Sequence, residues 1–176
     1  MIKSLSNSIA VLMILITCIP VPGYAQYIDM EITIESELST SVEQNLDFGK
    51  YASNAGKVSI AFGDQNMGIV GIRALKNQNL FIEFIPPTVL KSANSDNTYT
   101  IPVSLSIDYD NSGQNNINNA RPLKNNREWV AILPDQNSNR NSNWKSIHLY
   151  IFGSLNIENI PEDIYEGYAL LIVDYE

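Results

Sequence analysis

Residues Thr100–Asp108, TIPVSLSID, alternate polar and apolar side chains through Ile101, Val103, Leu105 and Ile107. A period of two puts those four side chains on one face of a β-strand. The same alternation runs through Ile28–Glu37 (IDMEITIESE), with Ile28, Met30, Ile32 and Ile34 on one face. Further strands are expected at Leu46–Tyr51, Lys57–Phe62, Gly68–Leu75, Leu80–Ile85, Trp129–Leu133, Ile147–Ile157 and Tyr168–Tyr175. Turn residues separate them, as at Ser53-Asn54-Ala55-Gly56 and Lys76-Asn77-Gln78-Asn79. Pro86-Pro87 ends the strand before it, because proline cannot donate to a ladder. No stretch carries a helical stripe, and Pro161-Glu162-Asp163 starts one helical turn at most. About nine short strands with turns between them predict an all-β chain, an antiparallel sandwich or barrel.

The strands are preceded by an export signal. Lys3 supplies a positive start, Ile9–Ile19 is an apolar run, and Pro20 and Pro22 break it. Gly23 and Ala25 are small residues placed for a signal peptidase, so cleavage is expected between Ala25 and Gln26. The run is shorter than the about 20 apolar residues of a spanning helix, so no stable membrane span is expected after cleavage. The chain divides into a signal, 1–25, and one domain, 26–176. Removing 25 of 176 residues leaves 151, enough for a core without staples. The single cysteine, Cys18, lies inside the signal, which rules out a cystine framework in the mature monomer. Thr17 before it is a poor match to a lipidation site. The expected location is the periplasm, the cell surface or the outside.

Net charge is −8 for the full chain and −9 once Lys3 is lost. Such a balance disfavours nucleic acid and anionic membranes as partners and favours solubility. Asn111–Asn119 and Asp135–Asn143 are polar runs expected to be mobile surface loops.

Few residues suggest chemistry. The single histidine, His148, shares a strand face with Tyr150 and is expected to be half-exposed; no nucleophile elbow accompanies it. One histidine and no mature cysteine do not make a zinc site. Asp108, Asp110, Ser112 and Gly113 follow part of a calcium-loop spacing. The spacing fails where Asn119 replaces the terminal glutamate. Asp47-Phe48-Gly49 spells a kinase metal motif without its companions. Trp144, at the end of an Asn-rich loop, is a candidate ligand contact, and Trp129 is expected in the core. No catalytic residue and no cofactor are assigned.

Several fragments together resemble a known family. Leu46-Asp47-Phe48-Gly49 followed by Gly56-Lys57-Val58-Ser59-Ile60 resembles its opening. Ile72-Arg73-Ala74 and Leu80–Phe84 resemble its middle hairpin. Phe152–Ile157 and Glu166–Tyr175 resemble its end, with one glycine, Gly167, where the family carries two. The family is the bacterial secreted domain-of-unknown-function family 4402, itself similar to spore-coat U and chaperone–usher pilin domains. The resemblance implies an immunoglobulin-like β-sandwich and a non-enzymatic structural or surface protein. It also implies assembly with itself or other surface subunits by β-strand addition, with Ile28–Glu37 either the candidate donor or an ordinary first strand of its own sheet. The alternative expectation is a secreted glycan- or calcium-binding module acting through the Asn-rich loops.

Overall fold

A computed structural model of the chain describes residues 38–94, 99–134 and 143–176. The expected signal, the Ala25–Gln26 junction, Ile28–Glu37 and most of Asp135–Asn143 lie outside the described residues. Eleven strands are described. They are β1 (Leu38–Gln44), β2 (Gly56–Ile60), β3 (Gly68–Leu75), β4 (Asn79–Ile85), β5 (Val89–Ser92) and β6 (Thr100–Asp110). β7 (Arg121–Pro122), β8 (Arg127–Ala131), β9 (Trp144–Ile157), β10 (Tyr165–Glu166) and β11 (Leu170–Tyr175) complete the set. The only helical pieces among the described residues are two 3-10 turns, Ile117–Asn119 and Lys124–Asn126. No helix among the described residues is long and apolar enough to cross a membrane.

All pairings are antiparallel. The larger sheet runs β1-β3-β9-β6-β5-β10, with β2 also on β9 and β7 also on β6. The smaller sheet runs β11-β4-β8. β9 is the spine. Its first half, Trp144–Ile151, pairs with β3, its end, Gly153–Ile157, pairs with β2, and β6 lines the other side. Gly153 marks the changeover. A Cβ there would lie 2.9 Å from the Leu105 Cα and nearer still to the Ser104 carbonyl. The bare backbone therefore lets β6 approach closely, and the sheet curls into a half-barrel.

One core joins the two sheets. Ile72, Ala74, Ile107, Tyr109, Ile147 and Leu149 of the larger sheet pack with Leu80, Ile82, Phe84 and Val130 of the smaller. A second cluster of Val58, Ile101, Leu155 and Ile157 fills the curled end. A third lies on the opposite face of β9. There Ile60, Met67 and Tyr150 pack with Leu46, Phe48, Ile69 and Phe152. Phe62 meets Tyr150 and Phe152 edge-on, at 6.0 and 5.5 Å between ring centroids.

The expected strands at Gly68–Leu75, Leu80–Ile85, Thr100–Asp108 and Ile147–Ile157 appear within a few residues of their predicted bounds. Leu46–Tyr51 does not form a strand. The Asp47 carboxylate accepts from the Gly49 N–H at 2.8 Å, and Gly49 has φ +83°, so a local turn wins over the ladder. The polar stretch Ser39–Asn45 falls mostly within β1, Leu38–Gln44; backbone pairing with β3 forms it, and its side chains stay largely exposed. Two other placements differ. Trp129 is 51% exposed, because its neighbour Val130 takes the core-facing position. His148 is 7% exposed, because Glu43 and the segments carrying the third cluster cover the second face of β9.

Candidate functional site

The most developed polar cluster lies on the face of the larger sheet turned away from the main core. Register places Ser41, Gly71, His148 and Asp110 side by side on β1, β3, β9 and β6. Glu43 sits two residues past Ser41, where the β1–β3 register slips between Val42 and Gln44. Such a bulge re-aims a side chain. Glu43 Oε1 comes to 3.5 Å from His148 Nε2, one strand beyond its own neighbour. Gly71 opens the way, since a Cβ there would collide with the Glu43 carboxylate and stand 3.3 Å from Ser41 Oγ.

The loop after β6 closes over this row. Asp110 is 1% exposed and accepts from Ser112 N–H and Ser112 Oγ, each at 2.8 Å, and from Asn116 N–H at 3.3 Å. Asn115 bridges the row: its amide donates to Glu43 Oε2 at 3.4 Å, and its carbonyl oxygen accepts from the Tyr150 hydroxyl at 2.9 Å. The Asn116 side chain accepts from Asn118 N–H and starts the 3-10 turn Ile117–Asn119. The run expected as a mobile loop is therefore bonded to strands at four of its residues, Asn111, which donates to the Ala131 carbonyl at 3.2 Å, Ser112, Asn115 and Asn116. Burial, then the Asp110 and Glu43 carboxylates, push the Tyr150 phenol up to about 12. Nδ1 of His148 is buried without a hydrogen-bond partner.

These positions limit the chemistry. Ser41 and His148 flank Gly71 on opposite sides, two strand spacings of about 4.8 Å apart, beyond a serine's reach. A Ser-His-Asp relay does not form there. Of the calcium-loop residues, Asp110 and Ser112 bond to each other, and the Asp110 carboxylate is already taken up by backbone and hydroxyl donors. Asp108 lies on β6, partly buried, with its carboxyl raised above the usual carboxylate range by burial. Among the described residues no three His, Cys, Asp or Glu side chains stand close enough to hold a metal ion. Asp47-Phe48-Gly49 is the turn described above.

Trp144, at the start of β9, is half-buried, and the Arg73 guanidinium lies 4.4 Å over its ring. One face of the indole is thus occupied. A shallow groove of about 350 Å³ crosses β2, β9 and β6, lined by Lys57, Ser104, Ser154 and Asn156 among others. It holds one charged side chain and no acid or histidine.

Sequence reading missed two features. The Glu43–His148 contact depends on a bulge in β1 and on a glycine of β3, the strand between the two residues, with no local signature. The outward Trp129 joins Phe81, 5.1 Å away between centroids, on the outer face of the smaller sheet. A one-residue shift of the strand's phase would have exposed it. No protein-family model matches the chain, and no curated protein matches it.

Proposed function

We propose that this chain is an exported, non-enzymatic structural or surface protein. In this reading an immunoglobulin-like sandwich assembles with copies of itself, or with other surface subunits, by β-strand addition. The observation that carries it is the edge strand β11. Among the described residues β11 pairs with β4 alone, in unbroken register from Leu170↔Ile85 to Tyr175↔Leu80. Its sequence, LLIVDY, holds one charge, no proline and no bulge. Natural edges are usually blunted by lysine, proline or bulges, and one that is not offers backbone groups to a further strand. Two other edges are better guarded. β1 carries the Glu43 bulge, and β8 opens on Arg127-Glu128.

The chain enters β1 at Leu38, opposite Ala74. The next residue of β3, Leu75, donates its N–H to the Tyr175 hydroxyl at the end of β11, at 2.8 Å. Leu38 therefore lies near the Tyr175 end of β11, and the sequence of Ile28–Glu37 alternates as an added strand requires. Removal of residues 26–37 from the exported protein tests the reading. The intact protein is expected to form ordered polymers under negative stain, with Gln26 as its first residue by N-terminal sequencing. The shortened protein is expected to stay folded and monomeric. A monodisperse intact protein, or collapse of the shortened one, refutes assembly by a donated Ile28–Glu37.

A further inference from the structure

The outer face of the smaller sheet carries an exposed apolar patch around Glu83 and Arg127, with Asp174 at its margin. Register aligns Ile172, Glu83 and Arg127 in one row, and Asp174, Phe81 and Trp129 in the next. Leu170 and Ile85 stand opposite each other at the end of the patch. Trp129, Leu170, Ile85 and Ile172 are 51, 56, 46 and 38% exposed. Contiguous exposure of this kind marks an interaction surface more often than chance. The opposite charges Glu83 and Arg127 sit side by side near its middle.

We propose that this face is an isologous interface with a second copy of the chain. The charge arrangement selects the occupant. Two identical faces brought together by a two-fold axis present each residue to its own counterpart or to a neighbour. An axis running along β4 would set Glu83 against Glu83, which repels. An axis parallel to the strands and midway between β4 and β8 sets each Glu83 against the partner's Arg127. The same axis sets each Phe81 against the partner's Trp129. The β4–β8 half of the face thus matches itself in charge and in apolar shape, with both charge pairs near the axis, while Leu170, Ile172 and Asp174 of β11 lie outside the overlap. The proposal does not depend on strand addition, which uses an edge of the sheet rather than its face.

The patch is small. Only β4 and β8, about 4.8 Å apart and less than about 20 Å long, face their counterparts across this axis, far less than the roughly 800 Å² per partner of a standard interface, so the dimer is weak. Half-association near about 0.1 mM is expected. Sedimentation equilibrium of the exported protein up to about 1 mM tests it, with far-UV circular dichroism to show that each variant is folded. Glu83→Arg and Arg127→Glu are each expected to raise the dimer's dissociation constant by about 10-fold or more, since each meets a like charge. The double variant, Glu83→Arg with Arg127→Glu, is expected to recover dimerisation. If a reversal variant does not fold, Glu83→Gln and Arg127→Gln carry the same test with a smaller rise. A wild-type monomer at 1 mM overturns the proposal. So does a mass that neither reversal changes, or a folded double variant that stays apart. An open-ended polymer indifferent to both reversals overturns this interface and leaves strand addition standing, because a two-fold contact closes at two copies.

Discussion

At position 71 the missing side chain decides which neighbours meet. Glu43 crosses the bare backbone of Gly71 to reach His148, and its other oxygen accepts from Asn115. A methyl group at Gly71 meets the far end of a flexible side chain, so Glu43 swings away rather than forcing the strands apart. Gly71→Ala is therefore expected to cost about as much as Glu43→Gln, on the order of 0.5–1 kcal/mol for a pair whose carboxylate is partly exposed. The two together are expected to cost no more than either alone, because they remove the same contact. Urea melts of the two single variants and the double variant measure this. Additive losses would mean that Gly71 serves something other than the Glu43 path.

Elements depend on two contacts of different strength. At Gly153 the obstacle is backbone rather than a mobile side chain. Gly153→Ala must push β6 off β9 where the sheet curls, and about 3 kcal/mol or more of stability is expected to be lost. Soluble yield and thermal melting check it; a melt within a degree or two of wild type would show that the curl does not need the bare backbone. At the other end Asp163 ties the last turn to β5. Its carboxylate accepts from the Ser92 hydroxyl, from the Asn94 side chain at 2.5 Å, and from the N–H groups of Asn94 and Ile164. The Ser92 and Asn94 side-chain bonds, foremost, hold the carboxyl down at about 2. A depressed carboxyl stabilises the fold above its unfolded value, near 4, and loses that effect as pH falls through about 2. Asp163→Ala is thus expected to melt below wild type at pH 7, with the gap closing between about pH 4 and pH 2. A gap that stays constant across that window would place the effect elsewhere.

For the molecule as a whole, the shared core makes the two sheets one cooperative unit. Leu80, Ile82 and Val130 bury against Ile72, Ile147 and Leu149, so neither sheet keeps its apolar face without the other. Nature has placed one tryptophan on each sheet: Trp129 on β8 and Trp144 on β9. Trp129→Phe and Trp144→Phe leave single reporters. Their fluorescence transitions in urea are expected to share one midpoint, after correction for each variant's own stability by circular dichroism. Separate midpoints would show the smaller sheet unfolding on its own.

Alternation determined much of this by itself. Thr100–Asp108 has a period of two and forms a strand, because a half-buried pleat sorts side chains locally, and the apolar runs Gly68–Leu75 and Leu80–Ile85, set off by turn residues, form strands too. The all-β class followed from those runs and from the turn residues between them. Other features belong to the tertiary structure. β1 exists because β3 offers it backbone partners, and Leu46–Tyr51 fails because Asp47 caps Gly49. His148 and Tyr150 are buried because Glu43 and residues around Leu46, Phe48, Phe62 and Asn115 close the second face of β9. The cluster around Asp110 comes from β1, β9 and the loop after β6, up to 105 positions apart between Glu43 and His148. A strand's own residues state which side chains share a face. What covers that face is decided by segments far away in the chain, and only folding brings them there.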